Sequence, residues 1–379
     1  MKKKVAIAGT AGLPANYGGF ETLAENLVKH LNGHYDFVVY CKKTPRAQRR
    51  QSFSGARLIY LPFHSNGWQS PLYDLVSLFH AFITVDVILY LGPVVGYFLP
   101  INRLFEKNLL VNFGGLNEWE REKISKVERK YMLMSCFVAA HYATTNIADN
   151  TVLQRSIRKV LKRDSVVVRY GGDHTGVPKE ASEVVTCYPF ASECYFVSVA
   201  RAQIDNNLHV MIEAFRAMPQ KKLVIVSNWC VSQYGRDLFE QNQNIDNIIL
   251  LPAMYDLRHL DYIRSRAVAY IHSHSYCGTA PSLVEAICLG LPIISWDVPT
   301  NRETTHGHAL FFDSVESLRS VIENISQAAL DEVRDALRPL AEEEYKWSRV
   351  CKEYAALFDG NVSKRSYKES GYDSEVAAD

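Results

Sequence analysis

Four short segments carry side chains that could do chemistry together. The first, Gly9-Thr-Ala-Gly12-Leu-Pro-Ala-Asn-Tyr-Gly18-Gly19-Phe-Glu21, follows an apolar run and opens an amphipathic one. A strand–glycine loop–helix junction turns backbone N–H groups and the positive helix end toward one point, which suits a phosphate. The spacing is not G-x-G-x-x-G and lacks a G-K-[ST] ending, which argues against a dinucleotide dehydrogenase and a P-loop NTPase. A glycine turn serving backbone geometry alone is the plainer alternative.

The second segment runs from Tyr270 through His272, His274, Ser275, Cys277, Gly278, Thr279, Pro281, Ser282, Leu283 and Glu285 to Ala286. Pro281 stands at a favoured first helical position, so a second helix start is predicted to face the same cleft and hold a diphosphate. Glu285, one turn in, is placed to accept hydrogen bonds from sugar hydroxyls, unless it only caps its own helix. The third is Arg201, after the run Tyr195–Val199, with Asp205-Asn206-Asn207 opening a helix; an arginine there can neutralise a departing diphosphate. The fourth, Asn112-Phe-Gly-Gly114-Leu-Asn-Glu118-Trp119-Glu-Arg121, offers a ring to stack on a sugar and charges to read its hydroxyls.

These segments need a scaffold that brings them together. Short apolar runs alternate with amphipathic stretches throughout, the pattern of βαβ units around parallel sheets. Strands are predicted near 4–9, 36–41, 57–61, 86–91, 108–113, 143–148 and 165–169. A second set falls near 195–199, 222–227, 247–251, 268–272, 292–295 and 309–312. The clearest helices are 20–32 and 121–140, then 207–217, 234–243, 256–264, 281–289, 315–325 and 328–357. A stretch without period, 171–194, reads as the linker, so two doubly wound α/β domains face each other across a cleft. Ligands in such sheets bind beyond the carboxyl ends of the strands.

The chain has 379 residues, 47% of them hydrophobic and 22% charged, enough for two packed cores and incompatible with wholesale disorder. Its eight cysteines include no C-x-x-C pair, which excludes a zinc ribbon and suits a reducing compartment. His272 and His274 alternate, with His306 and His308 further on, but two histidines make no zinc site without further ligands, so no metal is expected. Behind the basic Met1–Lys4 only Val5–Ala8 is apolar, which predicts no secretory signal. The run from Val87 to Asn102 is broken by glycine and proline and reads as a buried strand with its loop, not a membrane span. Residues 1–173 hold 23 Lys+Arg against 13 Asp+Glu, and the remainder 19 against 28. A basic first half, densest at Lys42, Lys43, Arg46, Arg49 and Arg50, suits phosphates or an anionic membrane surface.

In this order the segments resemble retaining glycosyltransferases of the GT-B fold, family 4, and among them bacterial rhamnosyltransferases of capsule and exopolysaccharide assembly. The marks are residues 12–21, Ile147-Ala-Asp149-Asn150, Leu223-Val-Ile-Val, Tyr255-Asp256-Leu257, Gly278-Thr279 with Pro281-Ser-Leu-Val-Glu285-Ala, and Asn301-Arg302-Glu-Thr-Thr305. The resemblance implies an acceptor-binding domain over 1–175 and a nucleotide-sugar domain over 190–340. It also implies a helix near 343–358 crossing back to the first domain; the polar stretch 361–379 reads as a disordered tail. Arg201, Glu285 and His274 would be catalytic. Gly18, Gly19, Asn206, Ser275, Gly278, Thr279, Pro281, Ser282 and Leu283 would surround the donor, and Glu118, Trp119 and Arg121 the acceptor. Cys277 stands where the broad family has glutamate and the rhamnosyltransferase branch glycine; Asn206 replaces the usual lysine. That branch has Asn at 280 and Asp near 114, where this chain has Ala280 and Gly114.

No D-x-D pair is present for a metal-bound diphosphate, so Arg201 and helix ends must carry the neutralisation. No cofactor is then needed beyond a dTDP- or UDP-linked sugar as substrate. The expected partners are that donor, a lipid-diphosphate-linked saccharide acceptor and the cytoplasmic face of the inner membrane, with no nucleic acid. Two alternatives stay open: a non-catalytic nucleotide-sugar-binding partner of an assembly complex, and a sugar-nucleotide epimerase.

Overall fold

The computed structural model describes residues 2–15, 18–114, 125–177 and 182–361. The first domain opens with β1 (Lys4–Ala8), α1 (Gly19–Leu31), β2 (Asp36–Cys41), β3 (Ser52–Phe53), β4 (Ala56–Tyr60), α2 (Ser70–Thr84) and β5 (Val87–Leu91). It continues through α3 (Asn102–Phe105), β6 (Asn108–Asn112), α4 (Lys126–Tyr142), β7 (Thr145–Ala148), α5 (Thr151–Ser156) and β8 (Val166–Val167). After α6 (Ser182–Cys187) come β9 (Tyr195–Val199), α7 (Leu208–Arg216), β10 (Lys222–Ser227), α8 (Gln233–Asn242), β11 (Ile248–Pro252), α9 (Leu257–Ser265) and β12 (Ala269–His272). Then follow α10 (Pro281–Cys288), β13 (Ile293–Trp296), α11 (Pro299–Thr304), β14 (Leu310–Phe312), α12 (Val315–Asn324), α13 (Gln327–Pro339) and α14 (Trp347–Phe358).

The first sheet is ordered β3-β4-β2-β1-β5-β6-β7-β8 and the second β11-β10-β9-β12-β13-β14. Every pairing is parallel except the β3–β4 hairpin at the edge of the first sheet. Central strands such as Val87–Leu91 are buried on both faces, which is why they read as unbroken apolar runs. In each domain the order turns outward on both sides of a central strand, and the loops that leave the carboxyl ends there converge on the cleft.

Three apolar clusters hold this together. One fills the sheet face under α2 and α4, another the outer face of the second sheet under α7 and α12. The third runs through both domains, from Val5 and Leu27 to Val197, Leu283 and Phe358, so the two inner halves share one core.

The helical pattern expected over 328–357 is divided. α13 ends at Pro339, a wider turn covers Leu340–Glu344, and α14 starts afresh at Trp347. The break redirects the chain, so that α14 lies on the first domain. There Tyr35 donates its hydroxyl to the Ala355 carbonyl at 3.1 Å, and the Asn112 amide donates to the Tyr354 hydroxyl at 2.9 Å. The stretch expected as a linker also contains α6, and the strand expected over 165–169 shrinks to two residues.

Candidate functional site

The β12–α10 junction carries the most chemistry. α10 begins at Pro281, and no side chain caps it: its N-cap residue is Ala280. Pro281 has no N–H, and the Leu283 and Val284 N–H groups donate back to the Ala280 carbonyl at 3.1 and 3.2 Å, so the Ser282 N–H is the first-turn donor left for an anion. Glu285 does not turn back to cap the helix. Its carboxylate takes Arg264 Nη1 at 2.6 Å on one oxygen and His174 Nε2 at 3.3 Å on the other. Trp347 Nε1–H donates to His174 Nδ1 at 2.9 Å, so the ring proton sits on Nε2, facing Glu285. Burial raises the Glu285 carboxyl, but Arg264 and His174 outweigh it and hold the group below its ordinary value. Arg264 is itself fully buried and also pairs with Asp261.

This junction meets the first domain at close quarters. A Cβ on Gly19 would lie 2.7 Å from Pro281 Cγ, and one on Gly278 only 2.3 Å from the Gly114 carbonyl oxygen. At Gly278 only glycine permits the approach; at Gly19 the Pro281 ring edge would have to shift. Asn150 Nδ2 donates to Thr279 Oγ1 at 3.1 Å, and Tyr170 donates to the Gly19 carbonyl at 3.2 Å. The same ideal Cβ on Gly278 lies 3.6 Å from Asp149 Oδ2. Burial pushes the Asp149 carboxyl up to about 7, against the lowering effect of a hydrogen bond from Asn112. Arg169 bridges Glu303 at 3.0 Å and Glu344 at 2.8 Å.

The β1–α1 junction behaves otherwise. The Ala11 N–H donates to Glu21 and the Ala15 N–H to Glu25, both at 2.6 Å, and the Gly12 N–H donates to Thr10 Oγ1 at 3.0 Å. Of the phosphate cradle expected over Gly9–Glu21, the Ala11, Gly12 and Ala15 donors are therefore taken by the chain's own side chains. Among the described residues of that junction, Gly19 meets the second domain, through its approach to Pro281, whereas Gly18 faces Glu21.

Arg201 is exposed at the carboxyl end of β9, the strand next to β12. The two loops are stitched together: the Ser275 N–H and hydroxyl both donate to the Asp205 carbonyl, at 3.0 and 2.9 Å, and Asn207 Nδ2 donates to the Ser273 carbonyl at 2.9 Å. Arg201 and the start of α10 thus leave the same edge of the sheet. Asn206 is buried and donates to the Arg201 carbonyl at 2.8 Å, so it shapes this loop from within. The His272 and His274 rings lie with centroids 4.3 Å apart, tilted by 48°, and burial, then His274, push the His272 ring well below its ordinary value.

Of the residues picked out by sequence, Arg201, His274, Ser275, Gly278, Thr279, Pro281, Ser282 and Glu285 lie on the adjoining loops and helix start of one sheet edge. Leu283 is not brought to the cleft; its side chain is fully buried in the shared core. Glu118, Trp119 and Arg121 lie outside the described residues. Asp149 and Asn150 belong to the motif Ile147–Asn150, and a polar pair closing an apolar strand is the signal that marks them. Arg264 and His174 had none, since nothing local distinguishes them from surface residues.

The sequence of residues 190–347 matches the family of glycosyl transferases group 1, and residues 2–173 match a domain family of unknown function, DUF1972. No curated protein matches the chain by sequence. Among similar solved structures is sucrose-phosphate synthase from Thermosynechococcus elongatus, with a TM-score of 0.80 and 16% identity over 95% of this chain and 99% of that one. HepE of Anabaena, solved with UDP-glucose, gives a TM-score of 0.75 and 13% identity over 94% of this chain and all of that one (100%). WaaG, a glycosyltransferase involved in lipopolysaccharide biosynthesis, gives 0.70 and 13% over 94% and 100%. At such identities the likeness fixes the fold, two parallel-sheet domains across a cleft.

Proposed function

From the premise of a GT-B glycosyltransferase with a group 1 transferase domain, we propose that the chain moves a deoxyhexose such as rhamnose, with retention, from a dTDP- or UDP-linked donor. The acceptor is a lipid-diphosphate-linked saccharide at the inner face of the plasma membrane, in surface-polysaccharide synthesis. The observation that carries this reading is the uncapped start of α10, set against Gly19 and Gly114 of the opposite domain and followed by a carboxylate fixed in orientation by Arg264 and His174.

A carboxylate offers about four lone-pair sites, so Glu285 keeps capacity for nucleoside hydroxyls beyond its two protein partners. The α10 N-terminus and the exposed Arg201 take the diphosphate, which leaves without a metal clamp. Acceptor oxygen and leaving oxygen share one face of the sugar: the glycosidic C–O bond to phosphate breaks, the new C–O bond forms, and the acceptor proton passes to the departing diphosphate. The protein contributes position and charge. Asp149, carrying its proton up to about pH 7, is available at the cleft to hold a sugar hydroxyl.

The membrane part of the proposal rests on the first domain. On α2, Leu72, Val76, Phe79 and Ile83 form an exposed apolar stripe, and on α4 Val127, Tyr131 and Met134 form another, beside the exposed Lys126, Arg129 and Lys130. Apolar side chains with flanking cations suit an anionic interface. HepE, in complex with UDP-glucose, and WaaG, of lipopolysaccharide biosynthesis, support the choice of donor class and pathway class.

A thermal-shift panel of nucleotide sugars on the full chain tests the donor: the true one raises the melting temperature by mass action. With that donor and a lipid-linked acceptor, Arg201→Ala should lower kcat by about 10²–10³, the usual cost of removing one charge-stabilising group. Unchanged turnover in Arg201→Ala would overturn the assignment. Donor binding that depends on Glu285, with no transfer to any lipid-linked acceptor, would instead identify a non-catalytic binding partner.

A further inference from the structure

His272 closes β12 with 1% of its surface exposed, and neither ring nitrogen has a hydrogen-bond partner. Buried polar atoms left bare are uncommon and call for a physical reason. A neutral imidazole always presents one nitrogen as a lone pair, so this one has an acceptor aimed at nothing in the protein. Folding places two other soft donors beside it. His274 comes two residues later, Cys277 three beyond that, and one ligand atom from each of the three residues lies within 4.8 Å of the others.

We propose that His272, His274 and Cys277 form a binding site for a zinc-class divalent cation, with three protein ligands and a fourth position open to water or a substrate oxygen. Bonds of about 2.0–2.1 Å to nitrogen and 2.3 Å to sulfur in a tetrahedral shell put ligand atoms roughly 3.3–3.7 Å apart. The three groups must close by about 1 Å, and rotation of the His274 and Cys277 side chains supplies that while His272 stays fixed on its strand and the loop backbone stays tied at Ser273, His274 and Ser275. Two imidazoles and a thiolate select zinc, cobalt or copper; they are not the oxygen set that magnesium on a diphosphate requires. The site is therefore distinct from a diphosphate clamp, and the transfer step proposed above does not pass through it.

Cys277 now points its sulfur at Asn301 Oδ1, 3.5 Å away. Binding replaces that weak contact: the thiol proton leaves to solvent and the sulfur turns to the cation. Asn301 stays anchored through its amide, which donates to the His274 carbonyl at 3.0 Å and the Trp296 carbonyl at 2.9 Å. Residues 272–278 would then be tied at three points just before Gly278 meets Gly114.

The test is cobalt titration of the full chain, stripped with a chelator, followed by absorption and thermal shift. One equivalent should bind, with a thiolate-to-cobalt charge-transfer band and tetrahedral d–d bands, and zinc should displace it. Saturating zinc should raise the melting temperature by mass action. Cys277→Ser should abolish the charge-transfer band, and His272→Gln should weaken binding by at least about tenfold. Cys187, Cys194 and Cys230 are exposed and could bind cobalt elsewhere, so a band that survives Cys277→Ser overturns the proposal. So does the absence of stoichiometric binding to a folded protein. Nucleotide-sugar thermal shifts on the metal-free chain report separately on the transferase reading.

Discussion

The two glycine-rich junctions, β1–α1 and β12–α10, have the same local design and opposite outcomes. Each runs from a buried strand through small residues into a helix, and each helix lacks a side-chain cap on its N-cap residue. In the first, the loop N–H groups of Ala11 and Ala15 are taken by carboxylates of the helix that follows. In the second, Glu285 is drawn away to Arg264 and His174, and no side chain caps the helix start. Under the proposed function, the junction that takes the ligand is the one whose own acidic side chain has another partner.

The largest effect is therefore expected from removing that partner. Arg264→Leu leaves Glu285 and Asp261 as buried carboxylates without their cation. Losing one member of a buried ion pair costs about 3–5 kcal/mol, a drop in melting temperature on the order of 10 °C. Freed of Arg264, Glu285 would turn toward its own helix start, so donor binding should fall with it. Melting the variant with and without the donor checks both; a variant as stable as the parent would break the contrast between the junctions.

Second in size is the interdomain approach. Gly278→Ala places a methyl against the Gly114 carbonyl, so the cleft cannot close to the same depth. A displacement near 1 Å at a reacting centre costs about a hundredfold in rate, and kcat/KM should fall by roughly that factor. Gly19→Ala meets only the edge of the Pro281 ring, which can pucker, and should lose less. Steady-state kinetics on the pair orders them; equal losses would mean that both domains yield alike.

Much of this was legible in the sequence, for a physical reason. Buried parallel strands must be apolar on both faces, so runs such as Leu223–Val226 announce themselves, and helix starts carry signals such as Pro281. What the sequence does not carry depends on long-range partners. Whether the Ala11 N–H faces a ligand or Glu21 is decided by the angle at which α1 leaves the loop, and no local pattern encodes it. The same holds for Arg264, indistinguishable in sequence from the exposed Arg266 nearby, and for His272, whose bare nitrogens follow from the packing around β12. The division of the 328–357 helix had a visible cause in Pro339, which the strong amphipathic period on either side obscured.

Asp149 sharpens the comparison through pH, because it stands where the open junction meets the first domain. Its folded value of about 7 lies above the ordinary value of 3.8. The folded form thus favours the proton: the stabilisation is complete below about pH 4 and is lost as pH rises through 7. Asp149→Asn carries no such loss. Its melting temperature should overtake that of the parent between pH 4 and 7, reaching a gain of roughly 5 °C at pH 8. Parallel melting curves across that range would refute the shift.

The smallest effect should come from the closed junction. Glu21→Gln keeps an oxygen that can accept from the Ala11 N–H and removes only the charge, so the change should stay near 1 kcal/mol, whereas Glu21→Ala leaves that buried donor bare and costs about 1–3 kcal/mol. Neither should alter donor affinity, since the Ala11 N–H already faces inward to Glu21. Glu285→Gln, the matching change at the open junction, should weaken donor binding while costing stability of its own, because Arg264 loses a charged partner. Denaturant melts and donor titrations on both glutamines separate the two junctions. Donor affinity that fell in Glu21→Gln would return the first glycine loop to the binding site and remove the distinction.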